Sequence, residues 1–361
     1  MKFQRQAVRI ADALHPRGRT LALRADEVSR HAVRLVVVDR ARDQVRIVPF
    51  ADLPSLLRAG DLVVVNDAAT LPASLYGTTA RAERFELRLS AGLDGSRLHG
   101  VVFGDGDYRT KTEDRAAPPL IAVGDRVRLG TLDAIVEARA GRRVTLVALA
   151  REDELWQALY AAAAPIQYAH RAAPLPLYAV QTAYAARPWA VEMPSAGRAL
   201  TWDVLLGLRR AGIELATLTH AAGLSSTGDD ALDRALPWPE RYELPQATLD
   251  AIATTRAHHG RVIAIGTTVV RALESAALEA TTRGDSPLAL HAGSGIATLR
   301  LDPSYRPRIV DGLVSGLHVP GESHFELLSA FAPRPLLVRA VGLAAEHQLS
   351  GHELGDACLV L

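Results

Sequence analysis

At 361 residues, with 48% hydrophobic and 22% charged side chains, the chain has the composition of a folded protein of two domains, which excludes a disordered or fibrous one. A formal net charge of +1 denies it the general basic field that holds nucleic acid, so any RNA contact has to come from a local patch. Cys358, the single cysteine, excludes an intramolecular disulfide and a cysteine metal cluster. Met1–Ala11 lacks an apolar run of signal-peptide length and no run of about 18 apolar residues occurs, which predicts a cytoplasmic protein with no membrane partner.

Val33–Val38 and Val45–Val48 are β-branched runs around a polar turn and predict a hairpin. A helix is expected over Leu53–Ala59, stopped by Gly60-Asp61. Leu62–Val65 is then a continuous apolar run ending in Asn66-Asp67, as in a strand buried on both faces. From Leu71 to Leu149, alternating segments such as Phe85–Leu89, Val127–Leu129, Ala134–Glu137 and Val144–Val147 predict a small antiparallel barrel, with residues 104–119 as an exposed loop. Beyond Ala150, helices are expected over Glu152–Ala164, Trp202–Ala211, Pro245–His258 and Thr267–Arg283, and strands over Ile213–Leu218 and Val262–Ile265. Strands near Ile296–Leu301 and Ile309–Leu313, helices over Glu322–Phe331 and Leu337–Gln348, and a last strand at Ala357–Leu361 complete the pattern. Alternation of this kind means α/β: a discontinuous layered domain of residues 1–70 and 150–361, interrupted by a barrel domain of residues 71–149. The crevice between the two is the default ligand site.

Three loops carry candidate chemistry. Val262–Ile265 ends in Gly266-Thr267-Thr268 at the start of a helix, where backbone N–H groups attract an anion and glycine lets a ligand approach; Arg271 and Glu274 follow one turn later at i, i+3. The same residues also suit an ordinary capped helix with a surface ion pair. Asp311–Pro320 is a strand running into a loop that places His318 before Val-Pro, at the end where open α/β sheets bind ligands. Glu192–Arg198, with Ser195 and Gly197, is a Pro/Gly-punctuated loop before the Thr201 helix start, and His220 ends the Ile213 strand. No spacing of His and carboxylates suits a metal.

Taken in order, the blocks VVVNDAATLPASLYG (Val63–Gly77), PSAGRALT (Pro194–Thr201), IGTTVVRALESA (Ile265–Ala276), VDGLVSGLHVPGESHFELLSAF (Val310–Phe331) and GDACLVL (Gly355–Leu361) resemble the S-adenosylmethionine:tRNA ribosyltransferase-isomerase family. The resemblance implies a discontinuous α/β domain with an inserted β-barrel. It also implies S-adenosylmethionine as co-substrate, no metal, and tRNA with a queuosine-type anticodon as partner. The reaction moves the ribosyl unit onto 7-aminomethyl-7-deazaguanine, rearranges it, and releases adenine and methionine. The residues it points to are Glu240, His318 and Asp311 as catalytic groups, and Asn66, Asp67, Ser195, Gly197, Gly266, Thr267, Thr268, Arg271 and Glu274 as substrate-binding ones.

Departures fall on polar positions. Ala68, Ala69 and Ser74 replace a threonine and two arginines, Ala199 replaces a histidine, and a family segment with two histidines reads Ala235–Glu240 here, keeping only the glutamate. His220 sits one residue early when Gly223 is aligned, which in a strand aims the side chain at the opposite face unless a bulge corrects it. Arg198 and His324 are polar additions in the same blocks. Two readings remain open: the family reaction, expected to run poorly on the standard tRNA, or a protein of the same fold that binds S-adenosylmethionine or a related nucleoside and uses another acceptor or none.

Overall fold

The computed structural model describes residues 29–168, 173–351 and 354–361; the Met1–Ala11 segment lies outside the described residues. Leu62–Asn66, spelled Leu-Val-Val-Val-Asn, is buried at every position. Helices cover both faces of the sheet that it centres. Leu62 and Val64 pack into one apolar layer with the helices Gln246–Ala257, Thr267–Thr282 and Arg334–Glu346, and Val63 and Val65 pack into the other with Trp202–Arg210. A continuous apolar run is what such a two-sided position demands.

Nine strands form the sheet, in the spatial order Gly293–Ala297, Glu240–Leu244, Glu214–His220, Leu62–Asn66, Val262–Ile265, Gly312–Gly316, Ala357–Val360, Arg34–Asp39 and Gln44–Pro49. Glu214–His220, Leu62–Asn66, Val262–Ile265 and Gly312–Gly316 run parallel. Their C-terminal ends therefore share one edge, the usual place for a ligand in an open α/β sheet. The hairpin Arg34–Asp39 with Gln44–Pro49 is antiparallel as expected.

A closed barrel of six antiparallel strands, Ser74–Thr79, Arg84–Leu89, Arg97–Phe103, Arg126–Leu129, Leu132–Ala140 and Arg143–Ala148, projects from this layer structure. Phe85, Leu87, Leu89, Val127, Leu129, Val144 and Leu146 fill it, and Leu155 and Leu159 of the helix Glu152–Ala162 pack onto the same core. Interior filling by every second residue is how small barrels close. The short parallel pair Ala68–Thr70 and Arg187–Ala190 runs beside the junction.

Some expectations need correction. Residues 104–119 are not a simple exposed loop: the buried Arg115 reaches Glu86 at 2.7 Å, so the loop folds back over the outer face of Arg84–Leu89. With Arg88, that contact pairs the buried Glu86 carboxylate, as a buried charge demands. The strand expected near Ile296–Leu301 lies earlier, at Gly293–Ala297, and pairs with Glu240–Leu244, a strand its flanking prolines hide from a sequence reading. Among the described residues no helix is long and apolar enough to cross a membrane.

Candidate active site

Four strand ends converge. Val262–Ile265 runs into Gly266, whose φ of 97° and ψ of 152° belong to a region that essentially only glycine occupies, and the helix Thr267–Thr282 starts at once. Its first N–H groups have no intrahelical acceptor and face this edge. Beside it, the Asn66 side chain ties two strands and the helix together. Its Nδ2 donates to the His220 carbonyl at 2.9 Å and to Thr268 Oγ1 at 3.3 Å, while its Oδ1 accepts from the His220 N–H at 2.9 Å. Asp67 turns outward and accepts the Thr219 hydroxyl at 2.6 Å.

His220 is the group that the sequence reading valued least. Its strand pairs Thr219 with Glu243 and His220 with Tyr242, and the face that carries Ala216 and Leu218 carries His220 too. The slip counted from Gly223 is absorbed after the histidine, where the Ala222 N–H bonds back to the His220 carbonyl at 2.9 Å. The ring is fully buried, and neither nitrogen has a hydrogen-bond partner among the described residues. Nε2 lies 3.6 Å from Glu240 Oε2. Burial, followed by the charge of Arg271, pulls this imidazole down to about 3, so it is neutral at pH 7.

Glu240 opens its strand and points to the same interior. One oxygen accepts the Gly223 N–H at 2.6 Å and the other is paired with Arg271. Arg271 also donates to the carbonyls of Ala297 at 2.9 Å, Trp238 at 3.2 Å and Leu299 at 3.2 Å. The i, i+3 partner expected for it, Glu274, is occupied elsewhere. With its N–H groups committed to the protein, Arg271 acts as the anchor of Glu240.

On the other flank, His318 leaves the strand Gly312–Gly316 and stacks on His324, ring centroids 4.6 Å apart and planes 19° from parallel. Its Nδ1 is 3.2 Å from Glu322 Oε2. The turn Ser195–Gly197 sits across these strand ends, near enough that a Cβ on Gly266 would lie 3.7 Å from Ala196 Cβ. Gly197 is required by packing: a Cβ there would collide with the Tyr184 hydroxyl. Arg198 turns away from the strand ends, its Nε donating to the Ala179 carbonyl at 3.3 Å.

Two candidates lie apart. Asp311 accepts the Val262 N–H at 2.8 Å and pairs with Arg256 at 2.8 Å, at the N-terminal end of the strands. At about 3.3 Å per residue that is roughly 13 Å from Gly266. Glu274, two turns into its helix, accepts the N–H groups of Arg308, Ile309 and Val310 at 2.9 Å each and the Tyr305 hydroxyl at 3.0 Å. Both geometries are those of structural carboxylates. An open cavity of about 680 Å³ lies on the barrel flank, lined by Tyr76, Arg84, Glu86, Tyr108 and Gln167 among others, and none of the candidate residues lines it. Of its carboxylates, Glu86 is spent on Ser74, Arg88 and Arg115, Asp105 is paired with Arg84 and Asp107 with Arg109. The candidate residues therefore gather at the strand ends around His220 and not at this cavity.

Comparison with known proteins settles the lineage. The sequence profile described as "Queuosine biosynthesis protein" matches residues 19–360. The chain belongs to this family. A relative from Sorangium cellulosum, named S-adenosylmethionine:tRNA ribosyltransferase-isomerase, is 36% identical, with 92% of each chain covered. One of the same name from Geobacter metallireducens is 33% identical over 92% of this chain and 93% of its own. A crystal structure of S-adenosylmethionine tRNA ribosyltransferase from Thermotoga maritima aligns with a TM-score of 0.48 at 21% identity, covering 92% of this chain and 93% of that one.

The positions where the resemblance implied other side chains now have places. Ala199 is buried in the apolar layer beside Trp202–Arg210. The Ala235 carbonyl accepts from Arg300, the Trp238 carbonyl accepts from Arg271, and the Ser74 hydroxyl is held by Glu86 at 2.6 Å. Among the described residues, His220, His318 and His324 lie near these strand ends. Among the described residues, no three His, Cys, Asp or Glu side chains are grouped as a metal ion would require.

Proposed function

We propose that the chain transfers the ribosyl moiety of S-adenosylmethionine onto 7-aminomethyl-7-deazaguanine in tRNA and isomerises it, the step its relatives are named for. The observation that carries the reading is His220: a buried imidazole with two unused nitrogens, beside the Arg271-paired Glu240, at the C-terminal edge of the parallel strands. Buried polar groups are left without partners at a cost of about 1–3 kcal/mol each, a cost that a polar ligand relieves on binding.

In this reading the Gly266–Thr268 helix start receives the anionic end of the co-substrate, with Asn66 holding Thr268 in place. The neutral His220 ring has one nitrogen to accept a proton and one to donate. Glu240 offers a carboxylate oxygen 3.6 Å away, and His318 supplies a second imidazole. When the exocyclic amine of the acceptor attacks the sugar carbon bonded to the sulfonium, the C–S bond breaks, methionine leaves with that electron pair, and the alkylated nitrogen must lose a proton, which this cluster takes up. Positioned proton transfer of this kind contributes about 10²- to 10⁴-fold. Ser195 and Gly197 close the site from above. The barrel, residues 71–149, serves as an inserted unit between the halves 1–70 and 150–361.

A second reading keeps the fold and the co-substrate with a different acceptor. Its support is the loss of side chains at Ala68, Ala69, Ala199 and Ala235 together with the new His324. A single-turnover assay with tRNA carrying 7-aminomethyl-7-deazaguanine, following adenine and modified base together, decides. Adenine release that appears with the tRNA and falls about 10²-fold in Glu240→Gln and His220→Ala supports the first reading. Binding of S-adenosylmethionine without tRNA-dependent adenine release rejects it and leaves the second.

A further inference from the structure

Two exposed arginines near the Glu240 segment lie over indole rings and, among the described residues, have no counter-ion. The Arg143 guanidinium lies 4.5 Å over the Trp238 ring, and that of Arg241 lies 3.6 Å over Trp189. Both arginines are exposed, and among the described residues neither has a carboxylate at ion-pair distance. Arg187, also beside Trp189 at 5.7 Å, shows the contrast: it is paired with Glu243 at 2.7 Å. An indole face pins a guanidinium by its flat side and leaves the N–H edge free, the arrangement that suits bidentate capture of a phosphate.

Their placement is specific. Trp238 precedes Glu240 by two residues and Arg241 follows it by one, so both stacks are carried by the chain segment that bears the candidate catalytic carboxylate. Strand alternation sends Arg241 to the face opposite Glu240, outward toward solvent. In a chain with a net charge of +1, RNA has to be held by a local feature rather than by a general field. Bases in single-stranded loops are also the ones that can be splayed into a site.

We infer that Arg143 on Trp238 and Arg241 on Trp189 form a phosphate clamp for the RNA strand that carries the acceptor base. This rests on the reading of the acceptor as tRNA, and the test separates the two. A fluorescent anticodon stem-loop RNA is titrated with wild-type protein, the double variant Arg143→Ala/Arg241→Ala, and Arg46→Ala, at salt concentrations from about 50 to 200 mM. Arg46 is exposed on Gln44–Pro49, the outermost strand at the far edge of the sheet, and controls for loss of charge alone. The double variant is expected to bind at least about tenfold more weakly, and its dependence of log affinity on log salt to be shallower by about 1.4, roughly 0.7 per phosphate on a single strand. Arg46→Ala should change neither quantity, and an unchanged urea midpoint shows each variant folded. If wild type and double variant bind RNA alike, the clamp is wrong and the tRNA reading stands. If wild type binds no RNA, the tRNA reading fails and the clamp falls with it.

Discussion

Replacing Arg271 by Met tests the anchor at the centre of the site. The guanidinium is all but buried and serves Glu240 and three backbone carbonyls at once. Methionine fills much of the volume and supplies none of the donors, so Glu240, whose side chain is 11% exposed, would keep its charge without a partner. Breaking one side of a buried ion pair costs about 3–5 kcal/mol. The carbonyls of Trp238, Ala297 and Leu299 add about 0.5–1.5 kcal/mol each where water cannot replace the donor. Against a total stability of about 5–15 kcal/mol, Arg271→Met should unfold at a clearly lower urea concentration. Adding Glu240→Gln removes the uncompensated charge, so the double variant should be more stable than the single one by about 2 kcal/mol or more. Urea denaturation followed by circular dichroism reads both. A single-variant loss under about 1 kcal/mol, or a double variant no more stable than the single one, would refute the anchor argument.

Three further outcomes follow from named contacts. His220 is pulled down to about 3 in the folded chain against about 6.5 unfolded, so between these values the unfolded state binds the extra proton. Its contribution is therefore complete above pH 6.5 and declines as pH falls, by about 2 kcal/mol between pH 6.5 and 5. His220→Gln should flatten the urea-measured pH slope by that amount, and an identical slope in the variant would contradict the assignment. Glu274→Ala strips acceptors from three backbone N–H groups and the Tyr305 hydroxyl. It is expected to lower stability by about 3–5 kcal/mol while calorimetric affinity for S-adenosylmethionine in the folded fraction stays unchanged; a loss of affinity without loss of stability would return Glu274 to the ligand site. Gly266→Ala should cost about 1–3 kcal/mol through its φ of 97° rather than through crowding, since the nearest atoms to the added Cβ are at 3.5 and 3.7 Å. A cost below about 0.5 kcal/mol would show that the turn relaxes.

Elements whose signal is local were legible. The run Leu62–Val65 announces a strand covered on both sides, and the alternation in Arg126–Leu129 and Arg143–Ala148 announces barrel walls. Gly266 before two threonines marks the helix start that the structure shows. What a one-dimensional pattern does not carry is register between distant strands. Glu240 and Arg271 meet because Glu240–Leu244 pairs with Gly293–Ala297 beside the helix Thr267–Thr282, and no local spacing states that pairing. The i, i+3 rule for Arg271 and Glu274 assumes a solvent-facing helix surface; both residues are buried, and each is claimed by a different loop.

His220 shows how the choice of reference decides a side-chain direction. Counted backward from Gly223, the histidine is out of phase and should face away from the site. Counted forward from Ala216 and Leu218, which belong to the continuous strand Glu214–His220, it is in phase with the layer that contains the helix Thr267–Thr282. The second count is physically better founded, because alternation is a property of an unbroken ladder, and the ladder here ends at the histidine itself. Past that point the chain turns, with Ala222 bonding back to His220 and Gly223 donating to Glu240, so Gly223 holds the Glu240 carboxylate and says nothing about the phase of the strand. An imidazole can thus stand beside the Glu240 carboxylate although a count from Gly223 puts it out of phase, since the extra residue is taken up past the end of the strand.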